Sequence, residues 1–349
     1  MSKKVQIAIL GAGRIAEVHV QGYNRIRDKV NVCALIDARK EVAESKAAEW
    51  GVGKSFQTLD EFLIHEPCDA VDICLPHNIH VECVEKACAA GKHVLLEKPI
   101  ARSLAEADQI IAAVERHGVT LMVAHNHVFN PLVEKAKRII DEGLIGKPHL
   151  VKALSFGWFL FTQNDFRKSK EETGGGVFID TGAHFVYILR YLLGDIESVA
   201  TIQGNLVRHE MEGEDDAIVS LRFSNGCLGE ITTSYAARIP GWEEGFPTGW
   251  EQGFAVLGDK GALRFSLTED KLWLYSEEDR FPKGFRGWTA MAVPNAYAAS
   301  FNLEVEHFVD SLIERSIPKV PGSEGRKTLE VIDAAYRSAE VGRTITLNA

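Results

Sequence analysis

The sequence predicts an α/β chain in two parts: a doubly wound parallel sheet over residues 1–124, then a domain over 125–349 built on a mostly antiparallel sheet. Three observations predict it. Short apolar runs alternate with helix-patterned stretches through the first third, as a parallel sheet covered on both faces requires. A glycine-rich turn joins the first strand to the first helix. Beyond Pro148 the pattern changes to longer segments with partial alternation, separated by turns such as Ser224-Asn225-Gly226 and Gly258-Asp259-Lys260-Gly261. That is the signature of antiparallel strands with one wet face.

Taken in order, 5–10 reads as a buried strand and 14–25 as a helix. A second strand over 30–37 leads to a helix over 40–50, closed by Gly51. A strand over 70–74 precedes a helix over 79–90 with Gly91 as its stop. Residues 93–97 form the next strand. The helix over 103–117 starts on a capping box, Ser103 with Glu106, and ends at Gly118. A strand over 121–124 closes the first domain. Pro131 opens a helix to Glu142, ended by Gly143. Strands follow over 199–207, 217–223, 228–235, 254–257 and 262–267, and helices over 298–315 and 323–341. The Gly-, Trp- and Glu-rich stretch 242–250 reads as a loop.

Composition excludes several classes. The net charge is −10, with 49 acidic against 39 basic side chains and no basic run, so nucleic acid is not an expected partner. No segment has the length of a membrane helix, and the first apolar run is too short for a signal-peptide core. None of the six cysteines forms a CxxC pair, so no metal site is expected; reduced thiols fit a cytoplasmic location.

Four segments carry chemistry. Gly11-Ala12-Gly13-Arg14-Ile15-Ala16 matches GxGxxG/A between a strand and a helix. Gly11 permits the tight turn, Gly13 lets a diphosphate approach the backbone, and Ala16 lets helix and strand pack closely. Contacts to a dinucleotide are therefore expected from Gly11, Gly13, Arg14 and Ile15. Asp37, at the end of the second strand, suits the ribose hydroxyls of NAD; Arg39 beside it keeps NADP as the alternative.

The loops after the later strands lie where such sheets bind ligands. They supply Pro76, His77, Asn78 and His80, then Glu97-Lys98-Pro99, then Asn126. Lys98 has donors for a substrate oxygen; Pro99 is a candidate for a cis bond. The fourth segment is Gly174-Gly175-Gly176-Val177-Phe178-Ile179-Asp180-Thr181-Gly182-Ala183-His184, a flexible glycine turn into an apolar helix ending at Gly194. Asp180 and His184 are four apart, so a regular helix puts them on one face. Histidine is a natural general base near neutral pH.

These pieces occur in the order found in the glucose–fructose oxidoreductase and inositol dehydrogenase (Gfo/Idh/MocA) family, which the chain resembles along nearly its whole length. The resemblance rests on the turn at Gly11, the loop from His77 to His80, Gly91-Lys92-His93-Val94-Leu95-Leu96-Glu97-Lys98-Pro99, Gly143-Leu144-Ile145-Gly146-Lys147, and the segment from Gly174 to His184. It implies a Rossmann NAD(P)-binding domain and a substrate domain whose open sheet packs on a copy of itself, in a homodimer or homotetramer. It implies hydride transfer to or from a hydroxyl-bearing carbon of a sugar or cyclitol, without a metal. It also implies a catalytic trio: Lys98 polarising the oxygen, His184 removing its proton, and Asp180 holding a substrate hydroxyl and tuning the other two. Two positions depart from the family pattern. Val128 stands where many members have Arg, and Tyr187 where many have Asp, so the substrate is left open. His127, Phe129, Phe166, Arg167 and the 242–250 loop are the expected pocket residues. The alternatives are another carbonyl substrate, a bile-pigment-type reductase, and a regulator that senses NAD(P) without turnover; the complete trio argues against the regulator.

Overall fold

Val, Ile and Leu runs that are buried on both faces form a parallel sheet because helical crossovers cover each side. In the computed structural model, which describes residues 4–238, 250–277 and 287–347, the N-terminal elements are β1 (Val5–Leu10), α1 (Arg14–Arg25), β2 (Val30–Ile36), α2 (Lys40–Trp50), β3 (Ser55–Phe56), α3 (Leu59–His65), β4 (Ala70–Ile73), α4 (His80–Ala89), β5 (His93–Glu97), α5 (Leu104–His117) and β6 (Leu121–Ala124). The six strands pair in the order β3-β2-β1-β4-β5-β6, all parallel. The order reverses between β1 and β4, and ligands of open α/β sheets bind at that switch.

Local chemistry sets the helix ends. Gly51 and Gly118 close α2 and α5 in the left-handed region, at φ 73° and 62°. The Ser103 hydroxyl accepts the Glu106 N–H at 3.3 Å, but the expected reciprocal bond differs: the Glu106 carboxylate takes the Arg102 N–H, at 3.0 Å. The neighbouring Arg102 guanidinium draws the carboxylate one residue further back. β3 and α3 are additions to the expected elements. α3 starts where Thr58 accepts the Glu61 N–H at 3.1 Å.

Among the described residues the second sheet has nine strands. Its elements are α6 (Pro131–Asp141), β7 (Pro148–Phe156), α7 (Lys170–Thr173), α8 (Ala183–Leu193), β8 (Ile196–Gly204), β9 (Asp216–Phe223), β10 (Leu228–Ser234), β11 (Glu251–Gly258), β12 (Gly261–Ser266), β13 (Lys271–Ser276), β14 (Thr289–Ala292), α9 (Ala296–Glu314), α10 (Gly322–Val341) and β15 (Ile345–Thr346). The order is β14-β13-β12-β11-β7-β10-β9-β8-β15. Every pair is antiparallel except β7 with β10, so the sheet is mostly antiparallel as expected. β9 alternates buried and exposed residues strictly, which gives the sheet one packed face. Stacked rings of Phe185, Phe254 and Phe265, with centroids 5.1 and 4.8 Å apart, tie α8 to that face. The expected loop over 242–249 lies outside the described residues.

By contact the chain forms two units: Met1–Asn126 with Phe301–Leu329, and His127–Ser300 with Glu330–Ala349. The return of 301–329 to the first unit has specific causes. Lys29 pairs with Asp310 at 2.9 Å and Glu306 at 3.0 Å. The Val123 N–H donates to Val320 O at 2.9 Å, extending the outer edge of β6. Gly22 on α1 leaves room for Val305, whose methyl would lie 2.6 Å from a Cβ there. No helix among the described residues is long and apolar enough to cross a membrane.

Candidate active site

In the first unit, the carboxyl ends of β1, β2, β4, β5 and β6 carry the expected cofactor residues. Gly11 follows β1 at φ 101°, and a Cβ on it would lie 2.4 Å from Cys74 O, so only glycine fits the turn. Gly13 is different. It caps α1 without a side-chain hydrogen bond, at an ordinary φ of −83°, and a Cβ on it would meet nothing within 4 Å. Its missing side chain leaves open space in front of the unpaired N–H groups of a 12-residue helix. That space suits a diphosphate, so the residues present fit a dinucleotide. Arg14 is exposed and Ile15 half-buried, while Ala16 is fully buried against the sheet.

Asp37 is nearly buried. Its Oδ2 accepts the Ala12 N–H at 3.0 Å, and its Oδ1 accepts the Arg39 N–H at 3.0 Å and Nε at 3.2 Å. Burial pushes its carboxyl up, but these donors outweigh it and hold the group below the usual range. Arg39 is thus turned onto Asp37.

Pro76 is half-buried and Asn78 exposed, in a single turn over His77–Ile79. Asn78 sits inside that turn; the residue before α4 is Ile79. His77 and His80 are buried, with ring centroids 5.8 Å apart. The His80 ring spans Leu75 O at 2.9 Å and Ile100 O at 3.3 Å. It clips the loop after β4 to the loop after β5, and burial lowers its pKa. Lys98 is half-buried at the end of β5, and the Lys98–Pro99 peptide is cis. The Glu97 carboxylate accepts the Lys98 N–H at 3.1 Å. Asn126 is buried just beyond β6.

In the second unit, the glycine run is packed rather than flexible. A Cβ on Gly175 would fall 2.0 Å from the Tyr336 hydroxyl, and one on Gly176 2.1 Å from Glu214 O. The buried Glu214 accepts the Gly176 and Phe178 N–H groups at 3.0 and 2.9 Å. The Tyr336 hydroxyl accepts the Gly176 and Ile179 N–H groups, both at 3.2 Å, and donates to Glu214 at 2.9 Å. Glu214 and Tyr336 therefore cap the segment that presents Asp180. That segment, Phe178–Gly182, is a π-helical turn leading into α8. The wider turn changes the regular spacing expected between Asp180 and His184.

Asp180 is buried and held from two sides. Its Oδ2 accepts Arg167 Nε at 2.8 Å and the Tyr235 hydroxyl. Thr181 donates to the same Tyr235 oxygen at 2.9 Å. Arg167 is pinned further by Asp165 at 3.1 Å and by the faces of Phe166 and Phe159, at 4.5 and 5.2 Å. Burial works against its charge, but Asp180, Tyr235 and Asp165 keep it protonated. Burial and the Asp180 charge push Tyr235 well above its ordinary range, so it stays a donor. His184 sits edge-on to His127, at 4.6 Å between centroids, and His127 lies 5.7 Å from Tyr297.

The structure thus brings together Asp180, Arg167 and Phe166, and sets His184 against His127. Phe129 and Val128 are buried beside His127 in sequence. Sequence reasoning missed Tyr235, Glu214 and Tyr336. Glu214 hides in the acidic run Glu212-Gly213-Glu214-Asp215-Asp216, which resembles a solvated turn; the two tyrosines carry no local signal.

The chain matches family models described as "Oxidoreductase family, NAD-binding Rossmann fold" over residues 5–125 and "Oxidoreductase family, C-terminal alpha/beta domain" over 137–347. A myo-inositol 2-dehydrogenase of Thermotoga maritima is 28% identical over 348 residues, covering 98% of each chain. A D-apiose dehydrogenase of Paraburkholderia graminis is 29% identical over 356 residues, covering 99% of this chain and 91% of its own. The solved structure of a levoglucosan dehydrogenase in complex with NADH and levoglucosan shares the fold with a TM-score of 0.90 at 22% identity, over 99% of this chain and 100% of that one.

Proposed function

The chain belongs to the GFO_IDH_MocA oxidoreductase family, and from that premise we propose that it is an NAD-dependent dehydrogenase acting on a hydroxyl-bearing carbon of a sugar or cyclitol. One observation carries the reading. Asp180 accepts hydrogen bonds from Arg167 and Tyr235 in the same unit that pairs His184 with His127, a set no binding-only protein requires. The names of the inositol and apiose relatives support the substrate class.

NAD, when bound, supplies the hydride acceptor. Gly11, Gly13, Arg14 and Ile15 hold its diphosphate end. Asp37, already charged, takes the ribose hydroxyls, with Arg39 neutralised beside it. Pro76, His77, Asn78, His80, Glu97 and Asn126 shape the remaining cofactor loops. Lys98 donates to the substrate oxygen and stabilises its alkoxide character. His184 takes the hydroxyl proton as the C–H bond breaks. Asp180 accepts from a neighbouring substrate hydroxyl, and Arg167, Phe166, His127 and Phe129 line that end of the substrate.

Two further features belong to this proposal. Ile202 and Ile218, opposite one another on β8 and β9, and Trp273 on β13 are exposed, which supports assembly of the sheet with a copy of itself in a homodimer or homotetramer. Six cysteines without a disulfide support a cytoplasmic location.

The test is reduction of NAD or NADP, followed by absorbance, with a panel of inositols, aldoses and anhydro-sugars. Turnover with one polyol is expected, with NAD preferred. Tight NAD binding with no reduction across the panel would favour a sensing role instead.

A further inference from the structure

We propose that His19 is a positioning residue: it holds the Glu97 carboxylate, and through it the main chain of Lys98, in one place at the end of β5. The proposal rests on the reading of Lys98 as a catalytic group.

His19 lies outside the sequence motifs, yet it is the centre of a buried polar cluster in the first unit. Its Nδ1 lies 2.9 Å from Asp72 Oδ2 on β4. Its Nε2 lies 3.4 Å from Glu97 Oε1 at the end of β5, and 3.8 Å from Glu304 Oε2 on α9. The side chains of His19, Asp72 and Glu304 are 0% exposed, and Glu97 12%. The remaining groups facing it are Tyr23, whose hydroxyl donates to Asp72 at 2.9 Å, and the Cys74 thiol, 3.4 Å from Asp72 Oδ1.

Three carboxyl groups cannot share so small a dry volume as anions; each uncompensated charge costs several kcal/mol. His19 is the cation that resolves this. Burial opposes its charge, but Asp72 first, then Glu97 and Glu304, push its pKa up to about 10. Burial also pushes Glu304 well above the usual carboxylate range, and neither of its oxygens has a hydrogen-bond partner. Glu304 is thus disfavoured as an anion, and the imidazolium lies against Asp72 and Glu97.

Glu97 then has one oxygen 3.4 Å from His19 Nε2, an ion-pair contact rather than a hydrogen bond, and the other accepting the Lys98 N–H at 3.1 Å. It is a two-ended link between a buried cation and the residue assigned to the substrate oxygen. A shift of about 1 Å in a catalytic group costs on the order of 100-fold in rate, so the link matters for turnover. Asp72, Cys74 and His19 also lie close enough to hold a metal ion, within 4.8 Å of one another. The 2.9 Å separation of Nδ1 and Oδ2 is that of a hydrogen bond, which satisfies both atoms without one.

Three readouts test this on the full chain. Nitrogen-15 NMR of the native protein at pH 8 should show both His19 ring nitrogens protonated; a neutral ring, or a stoichiometric metal in the purified protein, overturns the proposal. His19→Gln should lower kcat about 10- to 100-fold while NAD affinity changes less than about threefold. Folded His19→Gln with wild-type kcat overturns it. Glu97→Gln should give a similar loss, and the double variant should be no worse than either single one, because both act through one link. Additive losses overturn it. Should His19→Gln fail to fold, the NMR result and Glu97→Gln still decide. Lys98→Ala separates the premise: if Lys98→Ala turns over normally, the catalytic reading fails, whereas an inactive Lys98→Ala beside a normal His19→Gln rejects only the positioning role.

Discussion

Two buried aspartates, one in each unit, have almost the same surroundings and differ in one respect. Asp72 and Asp180 each offer Oδ2 to a cation and a tyrosine: His19 and Tyr23 in the first case, Arg167 and Tyr235 in the second. Around Asp72, the side chains of His19, Tyr23 and Glu304 are sealed from water. Around Asp180 the arginine is 29% exposed and stacked on half-buried rings. A sealed network can act only on position and stability. An open one can reach a substrate. The chemistry of the donors does not separate these functions; access does.

The largest effects fall on the two groups assigned to the substrate oxygen. Lys98→Ala and His184→Ala should each lower kcat by about 100- to 10,000-fold, with NAD affinity nearly unchanged in a binding titration. Loss of NAD binding in either variant would contradict the assigned roles.

The same substitution in each network sharpens it. Tyr235→Phe and Tyr23→Phe each remove one hydroxyl from a buried carboxylate, so each should lose about 1–3 kcal/mol of stability in a denaturant titration. Tyr235→Phe should also lose kcat by roughly tenfold, about 1.4 kcal/mol. Tyr23→Phe should lose far less, since its partner Asp72 does not touch substrate. Equal kinetic losses would mean that access is not what distinguishes the two.

The sealed cluster also predicts a pH dependence. A histidine whose folded pKa of about 10 exceeds its unfolded value contributes stability in full below pH about 6.5, and loses it as pH rises through 10. The native melting temperature should therefore fall across that window, and His19→Gln should flatten the fall. A smaller, local test concerns the cofactor turn. Gly13→Val should leave the melting temperature almost unchanged, because a Cβ there meets no protein atom, yet weaken NAD by about tenfold or more. Asp37→Ala should weaken NAD more than NADP, each measured by titration; equal weakening would make Asp37 only a clamp on the turn.

Much of this was legible in the sequence. Helix and strand limits in the first domain follow from runs of Val, Ile and Leu punctuated by Gly51, Gly91 and Gly118, and α1 and β5 fall where their patterns end. The glycine turn and the positions of Lys98, Asp180 and His184 come from spacing and resemblance. What was not legible depends on distant partners. β3 and α3 are too short to show a period. The helices over 298–341 were visible, but their packing on Gly22, Lys29 and Val123 was not. Tyr235 lies 55 residues from Asp180, and Tyr336 157 residues from Ile179, so neither leaves a local pattern. The glycine run at 174–176 looked flexible because a sequence shows missing side chains, not the backbone and tyrosine that occupy their place.

The proposed reaction is direct hydride transfer between NAD and a substrate carbon. Its most direct test is a single turnover with a polyol deuterated at the reacting carbon, followed by mass spectrometry of the nicotinamide. The account predicts deuterium on the reduced cofactor ring, and none with His184→Ala on the same timescale. Oxidised product without deuterium on the cofactor would contradict it.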